Sequence, residues 1–304
     1  MLHRDHPSKN DTEPPMKVHL VDGTYELFRS HFGAPPKKSH SGQEVGATLG
    51  LVRSMMLLLS DPEVTHVAVA FDHVIESFRN KMYAGYKTSA GVDPALMAQF
   101  PLAEKAMSAL GMVVWPMVKF EADDAIATAV SRFKKIKSVE QIVICSVDKD
   151  LTQMVDGKRV VSWDRRREIV LDENGVVEKF GVGPESIPDF LALVGDSADG
   201  YPGIQGWGEK STATVLSKFK HIESISNDPN KLGLGLGRAT TLLENLKNNY
   251  KEALLFRELS TLRTDVPLKE KLSDLKWLGA YARLNKICKE LGDERIPERV
   301  KRWR

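Results

Sequence analysis

Short apolar runs that end in aspartate recur through the first half of the chain. KVHLVD (17–22), THVAVAFD (65–72) and QIVICSVD (141–148) are rich in β-branched residues, and each predicts a strand that ends at an acid. GMVVWP (111–116) is a fourth candidate strand, and the stretch 159–171 predicts a hairpin around three arginines. Because parallel strands place their carboxyl ends along one edge of a sheet, the three aspartates are expected to share that edge.

Amphipathic helical patterns separate these strands and then replace them. The segments 46–60, 94–110 and 121–135 have helical periodicity, as in EADDAIATAVSRFKK. Alternating strands and helices predict an α/β fold with a mainly parallel, twisted sheet flanked by helices. After about residue 183 the strand patterns stop, and four further segments predict helices: 184–195, 210–219, 237–262 and 278–291.

Composition limits the class of protein. The 304 residues are 42% hydrophobic and 28% charged, which is enough to bury a full core. Two cysteines exclude a disulfide framework or a cysteine-rich zinc site. No apolar run reaches the roughly 18 residues of a membrane span, and residues 1–15 lack a signal-peptide core. The sequence therefore predicts a cytoplasmic protein with a disordered tail at 1–15.

The net charge of +2 is divided unevenly along the chain. Residues 200–304 contain 20 Lys and Arg against 13 Asp and Glu, a net charge of +7, so the residues before them carry −5. A basic C-terminal part is typical of a surface that binds nucleic-acid phosphates, although solvated helix faces give the same count.

Nine carboxylates lie in five short clusters, each at a turn or at the end of a predicted element. They follow VD, FD, FEADD, VDKD and GDSAD, and they are Asp22, Asp72, Glu121, Asp123, Asp124, Asp148, Asp150, Asp196 and Asp199. If these acids converge, their repulsion requires cations, so the pattern predicts a divalent-metal site. Oxygen ligands favour Mg²⁺ or Mn²⁺ over zinc. Two ions about 4 Å apart would support hydrolysis of a phosphodiester.

A glycine-rich segment, GIQGWGEKST (203–212), nearly matches a nucleotide-binding loop. That loop needs a lysine directly after its last glycine, and Glu209 stands between Gly208 and Lys210. The inserted acid changes the register of the backbone amides and opposes a bound phosphate. The segment is therefore interpreted as a phosphate-binding turn of another kind.

The ordered motifs VDG, FD, FEADD, VDKD, GDSAD and PGIQGWGEKSTA resemble the 5′ nuclease domain of bacterial DNA polymerase I and the related flap endonucleases. The resemblance covers residues 16–268 and implies a PIN-like catalytic domain at 16–180. It also implies a helix–turn–helix (H3TH, SAM-like) DNA-binding subdomain at 181–268. Residues 269–304 are expected to form a helical extension with a basic end. All nine acids match metal-binding positions of the family.

The resemblance also implies residues that act on DNA. The segment 73–100 is expected to form a helical arch over a 5′ flap, with Arg79 and Lys87 as catalytic cations and Tyr86 stacked on a base. Ala90 stands where the family usually has an arginine, and Gly200 replaces a common asparagine. In the helix–turn–helix, DNA phosphates would be bound by Gly203, Gly206, Gly208, Lys210 and Ser211, assisted by K⁺ on the turn carbonyls.

These observations predict a stand-alone, Mg²⁺-dependent 5′–3′ exonuclease and flap endonuclease that uses two metal ions. Its expected partner is DNA with 5′ flaps, nicks, gaps or free 5′ ends, and the protein is expected to be a monomer with no membrane contact. Two alternatives remain open: a PIN-like nuclease acting on RNA or an RNA–DNA hybrid, and a non-catalytic DNA-structure-binding protein. The intact acid set disfavours the latter, because binding alone gains nothing from buried negative charge.

Overall fold

The computed structural model describes residues 16–33 and 35–304, so the predicted tail 1–15 lies outside the described residues. A six-stranded sheet forms the centre of the N-terminal part, in the order β3-β2-β1-β4-β5-β6. All neighbouring pairs are parallel except β5 and β6, which form the predicted hairpin. The strands are β1 (Met16–Asp22), β2 (His66–Asp72), β3 (Val113–Met117), β4 (Val139–Cys145), β5 (Val160–Asp164) and β6 (Ile169–Leu171).

Helices cover both faces of this sheet and form the C-terminal part. They are α1 (Gly23–Gly33), α2 (Gly46–Leu59), α3 (Arg79–Met82), α4 (Pro94–Met97), α5 (Phe100–Ala109), α6 (Ala122–Phe133), α7 (Glu173–Phe180), α8 (Ile187–Val194), α9 (Glu209–Phe219), α10 (Leu236–Asn248), α11 (Tyr250–Ser260) and α12 (Arg283–Glu290). Short 3₁₀ helices lie at Asp150–Met154, Pro184–Ser186, Ile222–Ser224, Pro229–Lys231, Leu272–Leu275 and Pro297–Arg299. Within the described residues, none of the helices has the length and apolarity to cross a bilayer.

The central strands are apolar on both sides because each side faces a helical layer. On β1, Val21 packs with α1, α2 and α5, whereas Val18 and Leu20 pack with α6 on the opposite face. Successive side chains of a strand point to opposite faces, so a strand buried on both sides has a continuous apolar sequence. A third apolar cluster joins α8, α9, α10 and α11. The predicted mainly parallel α/β sheet is therefore confirmed.

The segment after β2, where the helical arch was expected, contains only short helices. Between Asp72 and Phe100 the chain forms only two helices of four residues, α3 and α4, joined by turns. Gly91 adopts a left-handed conformation with φ of +85°, and Pro94 begins α4 because its missing amide hydrogen is not needed at the first helical position. In this part of the described structure the segment is therefore built from short helices and turns rather than from one continuous helix.

Residues after α11 return to the sheet. The amide of Trp277 donates to the carbonyl of Thr65 at 2.8 Å, just before β2. Leu284, Ile287 and Cys288 of α12 are buried in the same apolar cluster as α2 and α5. The C-terminal segment thus contributes to the core of the sheet layer, and its last four residues are all exposed.

Candidate metal centre and DNA-binding turn

The carboxyl ends of β1 and β2 place two aspartates side by side. Tyr25 N and Ser146 Oγ donate to the two oxygens of Asp22, at 2.8 Å each. Asp72 accepts from the amide of Ala122 at 2.7 Å, at the first turn of α6. The side chains are therefore held by backbone and hydroxyl donors. Asp22 ends β1 next to β4, where the strand order reverses and where ligands bind in open α/β sheets, and Asp72 ends β2 on the other side of β1.

A second acidic group lies beside the first. One oxygen from each of Asp150, Asp196 and Asp199 lies within 4.8 Å of the others, and all three residues are buried. Asp150 begins the 3₁₀ helix after β4, and the other two lie in the turn after α8. Asp150 Oδ1 is buried without a hydrogen-bond partner among the described residues. Unpaired buried carboxylate oxygens fit a hard divalent cation.

The charge of Asp148 acts on the acids of both groups. Burial raises the pKa of Asp22 to about 7, and the charges of Asp72 and Asp148 add to this shift. Burial also raises the pKa of Asp123 and of Asp150, with Asp148 as the largest charged neighbour in both cases. The seven acids form one continuous negative field, here named the acidic edge: Asp22, Asp72, Asp123, Asp148, Asp150, Asp196 and Asp199.

Two lysines neutralise part of this field. Lys87 Nζ lies 2.8 Å from Oε2 of Glu121 and 2.9 Å from Oδ1 of Asp199. Lys149 Nζ lies 2.8 Å from Oδ2 of Asp196. Sequence reasoning missed Lys149, although its place between two acids in VDKD was a signal. Ser146, which orients Asp22, was also missed, because a serine after a strand carries no specific pattern.

Asp124 does not belong to the acidic edge, so its prediction as a metal ligand was wrong. Its Oδ1 accepts from Arg79 Nη2 at 2.8 Å and from Arg263 N at 2.9 Å. Its Oδ2 accepts from Arg79 Nη1 at 2.8 Å and from Glu121 N at 3.0 Å. Four protein donors thus occupy a side chain with no exposed surface. Arg79 is 1% exposed and lies behind the site, so the prediction of Arg79 as a cation facing substrate was also wrong.

Tyr86 is also placed differently from the expectation. Its ring is 3% exposed, and its hydroxyl lies 3.2 Å from Glu121 Oε2 and 3.3 Å from Asp199 Oδ2. A buried ring cannot stack on a base, so the predicted stacking role is corrected to a contact that orients carboxylates. Glu121 itself is bonded by Ser77, Arg79, Tyr86 and Lys87. Burial opposes its ionisation, but the charges of Lys87 and Arg79 lower its pKa to about 2.

The glycine-rich turn leads into α9 with its backbone amides available. Gly203 and Gly206 have φ of +72° and +84°, and Gly208 precedes the helix without a side-chain cap. A Cβ at Gly203 would lie 2.4 Å from Gly195 N, so this glycine permits close packing against the end of α8. Lys210 is exposed in the first turn of α9. An uncapped helix start with a nearby lysine is a suitable phosphate site.

The hydroxyl of Ser211 is not available to DNA. It accepts from Arg238 Nε at 3.0 Å and from Arg238 Nη2 at 2.5 Å, and Ser211 is buried. The predicted contact of Ser211 with DNA would therefore come from its backbone amide, in the first turn of the helix. Arg238 was missed because the sequence places it 27 residues further on.

Comparisons with known proteins agree with this geometry. The family model described as "5'-3' exonuclease, N-terminal resolvase-like domain" matches residues 17–181, and "5'-3' exonuclease, C-terminal SAM fold" matches residues 182–293. A 5′–3′ exonuclease of Aquifex aeolicus is 32% identical over 262 residues, covering 86% of this chain and 89% of that protein. DNA polymerase I of Bacillus subtilis is 31% identical over 290 residues; this chain covers only 32% of its length.

Solved structures share the fold at low sequence identity. The phage T5 D15 protein, co-crystallised with metal ions, has a TM-score of 0.65 at 16% identity, covering 93% of this chain and 96% of that one. Flap endonuclease-1 from Methanococcus jannaschii has a TM-score of 0.58 at 18% identity, covering 94% and 90%. The fold and the acidic edge define a metal-dependent nuclease. More particularly, the chain belongs to the 5′–3′ exonuclease family.

Proposed function

We propose that the protein hydrolyses DNA at 5′ ends and 5′ flaps, as a 5′–3′ exodeoxyribonuclease and flap endonuclease that uses two Mg²⁺ ions, with Mn²⁺ able to substitute. The observation that carries this proposal is the convergence of the acidic edge at the strand ends, including a buried oxygen of Asp150 without a partner. Membership of the 5′–3′ exonuclease family supports the choice of a 5′ end as the substrate.

The acidic edge offers two groups of ligands. Asp22, Asp72, Asp123 and Asp148 would hold one ion, and Asp150, Asp196 and Asp199 would hold the other. When bound, two such ions supply an activated water and stabilise the leaving oxygen of a phosphodiester. Glu121 is already engaged by protein donors, so its part is to hold Lys87 beside the ions.

Lys87 would interact with the reacting phosphate. Its partly buried ammonium lies at the border of both ligand groups, bonded to Glu121 and Asp199. With Asp199 ligating an ion, the ammonium would stay paired with Glu121 and would offset charge on the scissile phosphate. A fixed cation in a site that excludes water stabilises developing charge strongly.

The helical part would hold duplex DNA through its backbone. The amides at the start of α9, together with Lys210 and the Gly203–Gly208 turn, face phosphates without reading bases. A K⁺ ion on the turn carbonyls would assist this contact. The functional units are then 16–180, 181–268 and a C-terminal extension at 269–304, in a monomer acting in the cytoplasm.

A panel of labelled substrates tests this proposal. A 5′-flap duplex, a nicked duplex, a single strand and an RNA–DNA hybrid are each incubated with the protein in Mg²⁺ and in EDTA. The proposal predicts Mg²⁺-dependent release of 5′ products from the DNA duplexes. Preference for the hybrid would favour the RNA-directed alternative, and structure-specific binding without cleavage would favour a non-catalytic protein.

A further inference from the structure

Arg79 is the largest fully buried side chain of the described residues, and all of its donors point at two parts of the molecule. Its Nε donates to the carbonyl of Leu259 at 2.7 Å, and Nη2 donates to that of Thr261 at 3.2 Å. On the other side it donates to Asp124 twice at 2.8 Å and to Glu121 at 3.1 Å. One guanidinium therefore joins the end of α11 to the start of α6.

Asp124 completes the same junction. Besides its two bonds from Arg79, it accepts from the amide of Arg263 at 2.9 Å and caps the amide of Glu121 at 3.0 Å. The segment 259–263, where the chain leaves the helical part, is thus fixed to α6 by both members of the pair. Breaking a buried ion pair leaves an uncompensated charge, so a rearrangement of this junction has a high cost in free energy.

The junction continues to Lys87 through α3. Asn80, the neighbour of Arg79, donates from Nδ2 to the carbonyl of Lys87 at 2.8 Å, and the amide of Tyr83 donates to Arg79 O at 3.0 Å. The amide of Lys87 donates to the carbonyl of Asp199 at 3.0 Å. A movement of Arg79 would therefore move α3 and, with it, the backbone that carries the ammonium.

We infer that Arg79 and Asp124 are a positioning pair that fixes the helical DNA-binding part relative to Glu121 and Lys87. This inference rests on the proposed function for its effect on the rate, whereas its structural effect does not require cleavage. A buried ion pair is often no more stabilising than apolar residues of similar volume. The planar, bidentate contact between Arg79 and Asp124 does fix the orientation of the guanidinium. The position of the Lys87 backbone depends on that orientation through α3.

The test uses Arg79→Lys, which keeps the charge but loses the planar, bidentate donors of the guanidinium. Arg132→Lys is the matched control. Arg132 is a residue of α6 that also donates to backbone carbonyls after α11, those of Leu268 and Glu270, at 2.8 and 2.9 Å. It does not contact Glu121. For Arg79→Lys we expect the single-turnover rate on saturating 5′-flap DNA in Mg²⁺ to fall by about tenfold to a hundredfold. The dissociation constant for duplex should change less than about threefold.

Amide hydrogen exchange of the metal-free, DNA-free protein gives the second readout. The amides of Lys87 and Arg263 should exchange faster in Arg79→Lys and remain protected in Arg132→Lys. Unchanged exchange at Lys87, or an equal loss of rate in the control at an equal loss of Tm, overturns the inference. If Arg79→Lys does not fold, Asp124→Asn decides by the same criteria. A parent protein that cleaves no DNA would overturn the proposed function, while the exchange data would still decide the role of the pair.

Discussion

Lys87 Nζ lies 2.8 Å from Oε2 of Glu121. The same ammonium bonds Asp199, which belongs to the acidic edge. Burial opposes the charge of this lysine, but Glu121 and Asp199 raise its pKa well above the ordinary value. Lys87 therefore stays ionised and, in the metal-free protein, acts as the counterion of the carboxylates beside the metal sites.

Replacement of Lys87 tests its part in the reaction. We expect Lys87→Ala to reduce the single-turnover rate on a 5′-flap substrate by roughly a hundredfold or more, because one electrostatic donor to the scissile phosphate is lost. Duplex affinity should change little. Lys81→Ala, which removes an exposed lysine six residues earlier, is the matched control. A rate like that of the parent would remove Lys87 from the active site.

Gly200 tests how the Lys87 backbone is held. Its φ is +87°, and a Cβ there would lie 2.1 Å from the carbonyl oxygen of Gly85. We expect Gly200→Ala to push residues 85–87 away from Asp199 and to lower the rate at saturating DNA by about tenfold or more. Gly157→Ala is the control: Gly157 has φ of +51° and nothing within 4 Å of an added Cβ, so this variant introduces the backbone strain without the clash. Equal rates in the two variants would contradict this interpretation.

The raised pKa values predict an unusual pH dependence for the metal-free protein. The pKa of Asp22 is about 7 in the folded state, against about 3.9 in an unfolded chain. Between these values the folded state holds the proton and the unfolded state does not, so stability falls as pH rises. His19, whose pKa is lowered to about 4 by burial, acts in the opposite direction only below about pH 6.5.

Calorimetry in EDTA between pH 6.5 and 8 measures this effect. We expect the Tm of the parent to fall across the interval, and added Mg²⁺ to raise the Tm more at pH 8 than at pH 6.5. Asp22→Asn should flatten the fall, whereas Asp156→Asn, at an exposed position away from the acidic edge, should not. A Tm in EDTA that is constant or rises would contradict the assigned ionisation.

The DNA-binding turn predicts contact with phosphates rather than bases. We expect Lys210→Ala to weaken binding to all duplexes alike and to make the logarithmic salt dependence shallower by about one unit. Lys137→Ala is the control, because Lys137 is exposed in the turn before β4, at the opposite edge of the sheet from the metal centre. Fluorescence anisotropy with two unrelated duplex sequences is the measurement. A loss confined to one sequence would exclude the proposed backbone contact.

Much of this arrangement could be predicted from the chain itself. Strands that end in aspartate, separated by helical patterns, are sufficient to place Asp22, Asp72 and Asp148 at one edge of a parallel sheet. GMVVWP and the arginine-containing hairpin were also predicted correctly. Local periodicity and the topology of parallel sheets determine these features, and both depend on residues close in sequence.

The sorting of adjacent acids could not be predicted. Asp123 and Asp124 are neighbours at the start of α6, yet only Asp123 belongs to the acidic edge, because Arg79 and Arg263 N bind Asp124 from the other side. These partners are 45 and 139 residues away, so no local pattern marks them. Helix α1, which begins directly after Asp22, was not among the predicted helices. The predicted helix 237–262 breaks at Asn249.

Replacement of one carboxylate of the acidic edge tests the metal centre most directly. Asp150→Asn keeps the size of the side chain but removes the charge and an acceptor of the group formed with Asp196 and Asp199. The measurement is the single-turnover cleavage rate of a 5′-flap duplex over a Mg²⁺ titration that starts in EDTA, with Asp156→Asn as the control. We predict no cleavage in EDTA and a loss of at least about a hundredfold in Asp150→Asn at saturating Mg²⁺, with the control like the parent. Cleavage by the parent in EDTA, or an undiminished rate in Asp150→Asn, would contradict the assignment of this edge as the metal centre.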